Sequence, residues 1–217
     1  MPVAPILITG FEPYGGHGRN PSFEAMQALD GRTIEGVAIV GRGLPVSMAR
    51  LRPTLASVLE DAEFAAIICL GLKLGAPAIH LERSAANLAD FDIADNDGLS
   101  LRDAAVSPHG PAARLATLPL RAIERALLAA GIPAQLSASA GTYLCNACLY
   151  CCLEAVEARP RPALCGFLHL PCMPEQVAEA AAKQEGRQGA GVASMELSRM
   201  VAGVEIAVRE TVRILAR

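Results

Sequence analysis

The sequence has no excess of basic charge. Its 19 Lys and Arg stand against 22 Asp and Glu, giving a net charge of −3 and a pI near 5.8. A nucleic-acid partner requires a positive footprint, so none is expected. An unbroken apolar run of spanning length is also lacking. Ala126 to Leu153 holds no charged residue and would be long enough. But Gly131-Ile132-Pro133 and Gly141 interrupt it, and Gln135, Ser137, Ser139 and Asn146 dilute it. A helix, a turn, a buried strand and a second helix are expected there, with no membrane segment. A secretory signal is not expected either: the apolar run Val3–Ile8 is too short and has no basic residues before it. The seven cysteines are odd in number, and four are bunched at Cys145, Cys148, Cys151 and Cys152. That pattern does not suit a disulfide framework, so reduced thiols in a cytoplasmic protein are expected.

What is present is a globular composition, 52% hydrophobic and 19% charged, long enough to bury a substantial core. Apolar runs predict strands at about Ile6–Thr9, Val37–Gly41, Ala66–Leu70, Ile79–Glu82, Ala134–Ser139 and Cys165–Leu170. Helical spacing predicts helices at about Pro21–Leu29, Met48–Leu59, Pro119–Ala130, Cys145–Ala158, Glu175–Lys183 and Ser194–Ala216, with Ser194 as a cap. The alternation implies one α/β domain over residues 1–217, an α/β/α sandwich around a largely parallel, twisted sheet. Residues 89–114, containing "DFDIADNDGLSLRD", lack periodicity and read as a long surface loop of the kind that covers a site.

Near the start stands "LITGFEPYGGHGRNPSFEAM". Gly10 and Gly15 are spaced as in a phosphate-binding loop. Such a loop continues with Lys and then Ser or Thr, and here Gly16 and His17 follow. The next helix is expected to start at Asn20-Pro21, not at the second glycine. A nucleotide site is therefore not expected. Aromatic residues are scarce, five Phe and three Tyr, yet Phe11 and Tyr14 both lie in this stretch. They read either as apolar faces for a small ligand or as core packing.

Three reactive residues sit at predicted strand ends, where open α/β sheets bind ligands. Cys145 follows the strand "AQLSAS" and the turn "AGTYL", at a helix start that favours thiolate. His169 ends "LCGFLHL", and Glu82 ends "AIHLE". Together they can act as nucleophile, base and orienting acid. Each also has a structural reading: a small buried thiol, a hydrogen-bonded histidine, and a surface partner of Arg83. The Cys145-x-x-Cys148 and Cys148-x-x-Cys151 spacings suit redox or metal chemistry. They lie along one helix without the second ligand pair that zinc needs, so no metal or other cofactor is expected. A glutamine-amidotransferase elbow is not expected, because Tyr143 and Ala147 stand where it needs glycines.

"LITGFEPYGG...NPS", "LERSAANL", "DNDG", "SASAGTYLCN" and "GFLHLP", in that order and with "ASMEL" beyond, resemble pyroglutamyl peptidase I. The resemblance implies an intracellular cysteine peptidase that removes N-terminal pyroglutamyl residues from peptides. It further implies an α/β/α fold, no metal, and a homodimer or homotetramer. Its nucleophile falls on Cys145, its base on His169 and its acidic partner on Glu82. Its lactam pocket falls on Phe11, Tyr14, Leu72, Tyr143 and Leu144. Four positions depart from the family pattern. Leu72 stands where the family has a lactam-binding Gln, Tyr14 where Phe is usual, His80 where Ser or Thr is usual, and Asp92 in place of an Arg. The triad is intact, while the pocket changes leave altered specificity, or binding without turnover, as the alternative. His80 is expected to pack rather than react.

Overall fold

The computed structural model describes residues 3–160, 162–183 and 192–216. Nine strands and six helices follow one another along them. These are β1 (Ile6–Phe11), α1 (Pro21–Leu29), β2 (Thr33–Ile34), β3 (Val37–Leu44), α2 (Met48–Asp61), β4 (Ala66–Leu72), β5 (Ile79–Glu82), β6 (Ser84–Ala86), β7 (Ala113–Leu115), α3 (Leu120–Ala129), β8 (Ala134–Ser137), α4 (Leu144–Glu157), β9 (Leu164–Leu170), α5 (Pro174–Lys183) and α6 (Leu197–Leu215). The main sheet has the order β2-β3-β1-β4-β9-β5-β8, and β6 and β7 form a separate antiparallel pair. From β3 to β9 the strands are parallel; β5 is antiparallel to β9 and parallel to β8.

Strand periodicity divides the core into two layers. On β1, Leu7 packs with residues of α2 and α4, whereas Ile6 and Ile8 pack with residues of α1, α3 and α6. Central strands buried on both faces read as continuous apolar runs, as "AIICLGL" does in β4. The expected α/β/α sandwich is thus the observed one. Among the described residues, no helix is long and apolar enough to cross a membrane.

The start of α1 accounts for the glycine-spaced loop. Asn20 caps the helix, its side chain accepting from the Ser22 amide, and Pro21 occupies the first turn. Gly10 is required by packing: a Cβ there would stand 2.2 Å from the Ser22 carbonyl oxygen. The loop is shaped to seat α1 on β1. Sequence boundaries shift elsewhere. Ser194 does not cap α6; it forms a bridge with Cys172, and the Met195 amide donates to the Cys172 carbonyl at 2.8 Å. That extended contact delays the helix to Leu197. The short strands β2, β6 and β7 have too few residues to show a period and were not expected.

The segment 89–114 is not a simple surface loop. Ala89 and Phe91 are fully buried, and Ala89 bridges to Ala104. The Asp90 amide donates to the Thr142 carbonyl, and the Thr142 hydroxyl donates back to the Asp90 carbonyl at 2.7 Å. Asp95 caps locally, accepting from the amides of Met48, Asp97 and Leu99. Asn96 donates to the Pro13 carbonyl and so ties this segment to the loop after β1. The main clamp is Asn146, fully buried on α4. It accepts from the Ala86 amide at 2.8 Å and donates to the carbonyls of Ala86 and Leu88 at 2.8 and 2.9 Å. Replacing it strands three backbone groups, each costing about 1–3 kcal/mol when left unpaired. Asn146→Ala is therefore expected to lower the unfolding free energy by about 3 kcal/mol or more in denaturant titration; a change below about 0.5 kcal/mol would contradict the clamp.

Candidate active site

Chain direction explains how the three reactive residues meet. His169 is the next-to-last residue of β9, on the face that carries Phe167 and looks toward α4. The rings of Phe167 and His169 lie 4.7 Å apart between centroids, so the phenyl supports the imidazole from within the sheet. Gly71 of β4 is the register partner of His169. A Cβ at Gly71 would stand 2.8 Å from the Cys145 Sγ and 2.6 Å from the Phe167 ring. Glycine at this position therefore lets the thiol of α4 settle onto the sheet beside the histidine. Parallel register partners point to the same face, so the sulfur and the imidazole share one layer.

Glu82 arrives by a route different from the expected one. The sequence reading places it at the carboxyl end of a strand, beside the other two. Because β5 runs against β9, its carboxyl end lies inside the sheet: Glu82 pairs with Phe167, and His80 pairs with His169. The carboxylate then reaches the imidazole along the diagonal of the pair. Glu82 Oε1 lies 2.7 Å from His169 Nδ1, and Glu82 is wholly buried. The contact places the proton on Nδ1 and leaves Nε2 as the basic nitrogen. Burial pushes the Glu82 carboxyl up, but the hydrogen bond and charge of His169, with Lys73, bring it below its ordinary value. Lys73 Nζ stands 3.9 Å from Glu82 Oε1, so this cation is turned to the carboxylate.

The thiol departs from expectation. A helix start favours thiolate, and the backbone N–H of Cys145 acts in that direction, as does Lys73. Burial is the larger effect; with the charges of Glu82 and Cys69 it pushes the thiol up to about 12. The residue as a whole is only partly buried. Burial thus outweighs the helix start and Lys73, and the Cys145 thiol is raised rather than lowered. His80 packs, as expected. It is 8% exposed, its Nε2 lies 2.7 Å from Gln135 Nε2, and burial followed by Lys73 holds it below its ordinary value.

Of the five pocket residues inferred from sequence, two keep partly exposed rings in contact range. Tyr14 and Tyr143 lie 6.0 Å apart with planes 32° from parallel. Burial and then the Cys145 charge raise the Tyr14 hydroxyl. Phe11, Leu72 and Leu144 are 2%, 5% and 1% exposed and belong to the core. Asp92 is exposed, so its reversed charge faces solvent. Two contributors escaped the sequence reading. Phe91 meets Tyr143 edge-on at 4.7 Å and fixes its ring, and Gly71 admits the thiol. Phe91 lay within the quoted "DFDIADNDG" without periodicity to mark it, and Gly71 was concealed in an apolar run.

Comparison with known proteins agrees along the whole chain. A family model described as pyroglutamyl peptidase matches residues 4–214. The pyrrolidone-carboxylate peptidase of Bacillus cereus is 38% identical over 206 residues, 95% of this chain and 92% of that protein. That of Pyrococcus furiosus is 37% identical over 205 residues, 94% and 98% of the two chains. The solved pyrrolidone carboxyl peptidase of Thermococcus litoralis superposes with a TM-score of 0.92 at 37% identity, covering 99% of this chain and 96% of that one. Matched nearly end to end in both sequence and backbone, the chain belongs to the pyroglutamyl peptidase family of cysteine peptidases.

Proposed function

We propose that residues 1–217 act as one peptidase domain in which Cys145 is the nucleophile, His169 the base and Glu82 the residue that orients it. The family's reaction removes an N-terminal pyroglutamyl residue from a peptide. The observation that carries the assignment is the 2.7 Å contact between Glu82 and His169 Nδ1, with the Cys145 sulfur packed on Gly71, the register partner of His169.

A neutral thiol determines how the first step runs. His169 Nε2 takes the Cys145 proton as the sulfur attacks the pyroglutamyl carbonyl, so charge separates only while the S–C bond forms. Glu82 stabilises the resulting imidazolium and keeps its ring in place. Backbone N–H groups at the start of α4, including that of Cys145, hold the oxyanion. The imidazolium then gives its proton to the peptide nitrogen as the C–N bond breaks, leaving a thioester. Water, deprotonated by His169, releases pyroglutamate and restores the thiol. Tyr14 and Tyr143 wall the flat lactam ring over a floor of Phe11, Leu72 and Leu144.

Free cysteines at all seven positions suit a reducing cytoplasm. The family resemblance supports a homodimer or homotetramer, which sedimentation of the purified chain would settle. Cys145→Ser is expected to lower hydrolysis of pyroglutamyl-aminomethylcoumarin by at least about 10³-fold with the fold unchanged; an unaltered rate would remove Cys145 from the nucleophile's role.

One observation favours altered specificity as a second reading. Leu72 ends β4 and is 5% exposed, an apolar side chain where the family resemblance places an amide for the lactam. A buried lactam group without a partner costs about 1–3 kcal/mol. Leu72→Gln is expected to raise kcat/KM for pyroglutamyl substrates about tenfold, mainly through KM. A fall in kcat/KM would show that this pocket has been rebuilt around another acyl group.

A further inference from the structure

The helix that carries the reactive thiol also carries three other cysteines, and the peptidase reaction uses none of them. Cys148 and Cys152 are four residues apart on α4 and face the sheet; both are fully buried. From the sequence they lack a second set of ligands. The fold supplies one. Cys69 of β4 reaches the same layer, and the three sulfurs lie within 4.8 Å of one another. Cys69 Sγ and Cys152 Sγ are 3.7 Å apart. A tetrahedral unit with ion–sulfur bonds of about 2.3 Å has sulfurs about 3.8 Å apart, so this spacing is already that of one edge. Cys165 of β9 borders the group, its thiol held up by hydrogen bonding to Cys152 and Cys69. Thr9, the register partner of Cys69 on β1, adds a buried hydroxyl oxygen beside the Cys69 thiol.

We propose that Cys69, Cys148 and Cys152 form a binding site for a thiophilic divalent d¹⁰ cation such as Zn²⁺ or Cd²⁺, separate from the peptidase centre. Thiolate sulfur selects soft ions, and binding releases protons. Each of the three thiols loses its proton to solvent on binding, so the divalent ion cancels two of the three thiolate charges, and the Thr9 hydroxyl stands beside the site as a donor to the remaining one. No oxidation is involved. The site joins α4 to β4 close to the reactive sulfur. Cys148 is one turn from Cys145, and Cys69 is two residues from Gly71, on which the Cys145 sulfur rests.

The test uses the full chain carrying Cys145→Ser, reduced, so that the reactive thiol takes no part. Cd²⁺ is added to the folded protein and, in parallel, during refolding, since a closed site opens slowly. The expected result is a near-ultraviolet thiolate-to-cadmium absorption saturating at one ion per chain, with about three protons released per ion and a raised Tm. Cys148→Ala and Cys152→Ala should each abolish the absorption. Cys151→Ala should keep it, because Cys151 lines a different cavity of about 310 Å³ with Arg52 and Glu154. If either α4 substitution prevents folding, loss of the absorption in Cys69→Ala serves in its place. Absence of the absorption in both loading protocols would overturn the proposal, and so would its persistence without Cys148 and without Cys152.

Discussion

A carboxylate with no access to water needs a partner, because removing such a charge from solvent costs several kcal/mol. Glu82 is that carboxylate, and His169 is the hydrogen-bonding partner that answers one of its oxygens. The pair fixes more than its own two residues. It sets the imidazole's tautomer, keeps Nε2 free, and places a stabilising negative charge where an imidazolium will form. The rest of the site is arranged around this contact. Phe167 supports the ring from below, Gly71 leaves room above the sheet, and α4 lowers Cys145 into that room.

The reversal of β5 is what makes the contact buried. In an all-parallel sheet, a residue at the end of that strand would stand at the carboxyl edge with the others, open to solvent. Running antiparallel to β9, β5 puts Glu82 two residues deeper, opposite Phe167. Burial has a second consequence on the opposite side of the imidazole. The same dry surroundings that make the carboxylate dependent on His169 keep Cys145 protonated, its thiol pushed up to about 12. In the proposed mechanism the nucleophile is therefore generated during attack, by proton transfer to a base that the carboxylate has already prepared.

Much of this was legible in the residues. The strand–helix alternation, the capping Asn20-Pro21 and the absence of a phosphate-loop lysine each led to the observed local structure. Cys145, His169 and Glu82 were singled out by position and chemistry, and the structure brings them into one layer. What stayed hidden depends on pairing across the chain. Strand direction cannot be read from "AIHLE", so the inward position of Glu82 was missed. Nothing local marks Gly71 as the seat of a sulfur 74 positions away in sequence, or Asn146 as the clamp on Ala86 and Leu88. The raised Cys145 thiol was hidden for a related reason: a helix start is visible in sequence, whereas the depth at which it is buried is not. Cys69 joining Cys148 and Cys152 is likewise a product of packing.

The central claim is that the Glu82 charge, and not merely its shape, sustains the reaction through His169. Glu82→Gln keeps an oxygen that can accept from Nδ1 and removes the charge that stabilises imidazolium. Measured across pH on pyroglutamyl-aminomethylcoumarin, with thermal unfolding as a check on the fold, kcat should fall by about 10³- to 10⁴-fold while KM changes little. A folded Glu82→Gln variant with kcat within about threefold of the parent would contradict the claim.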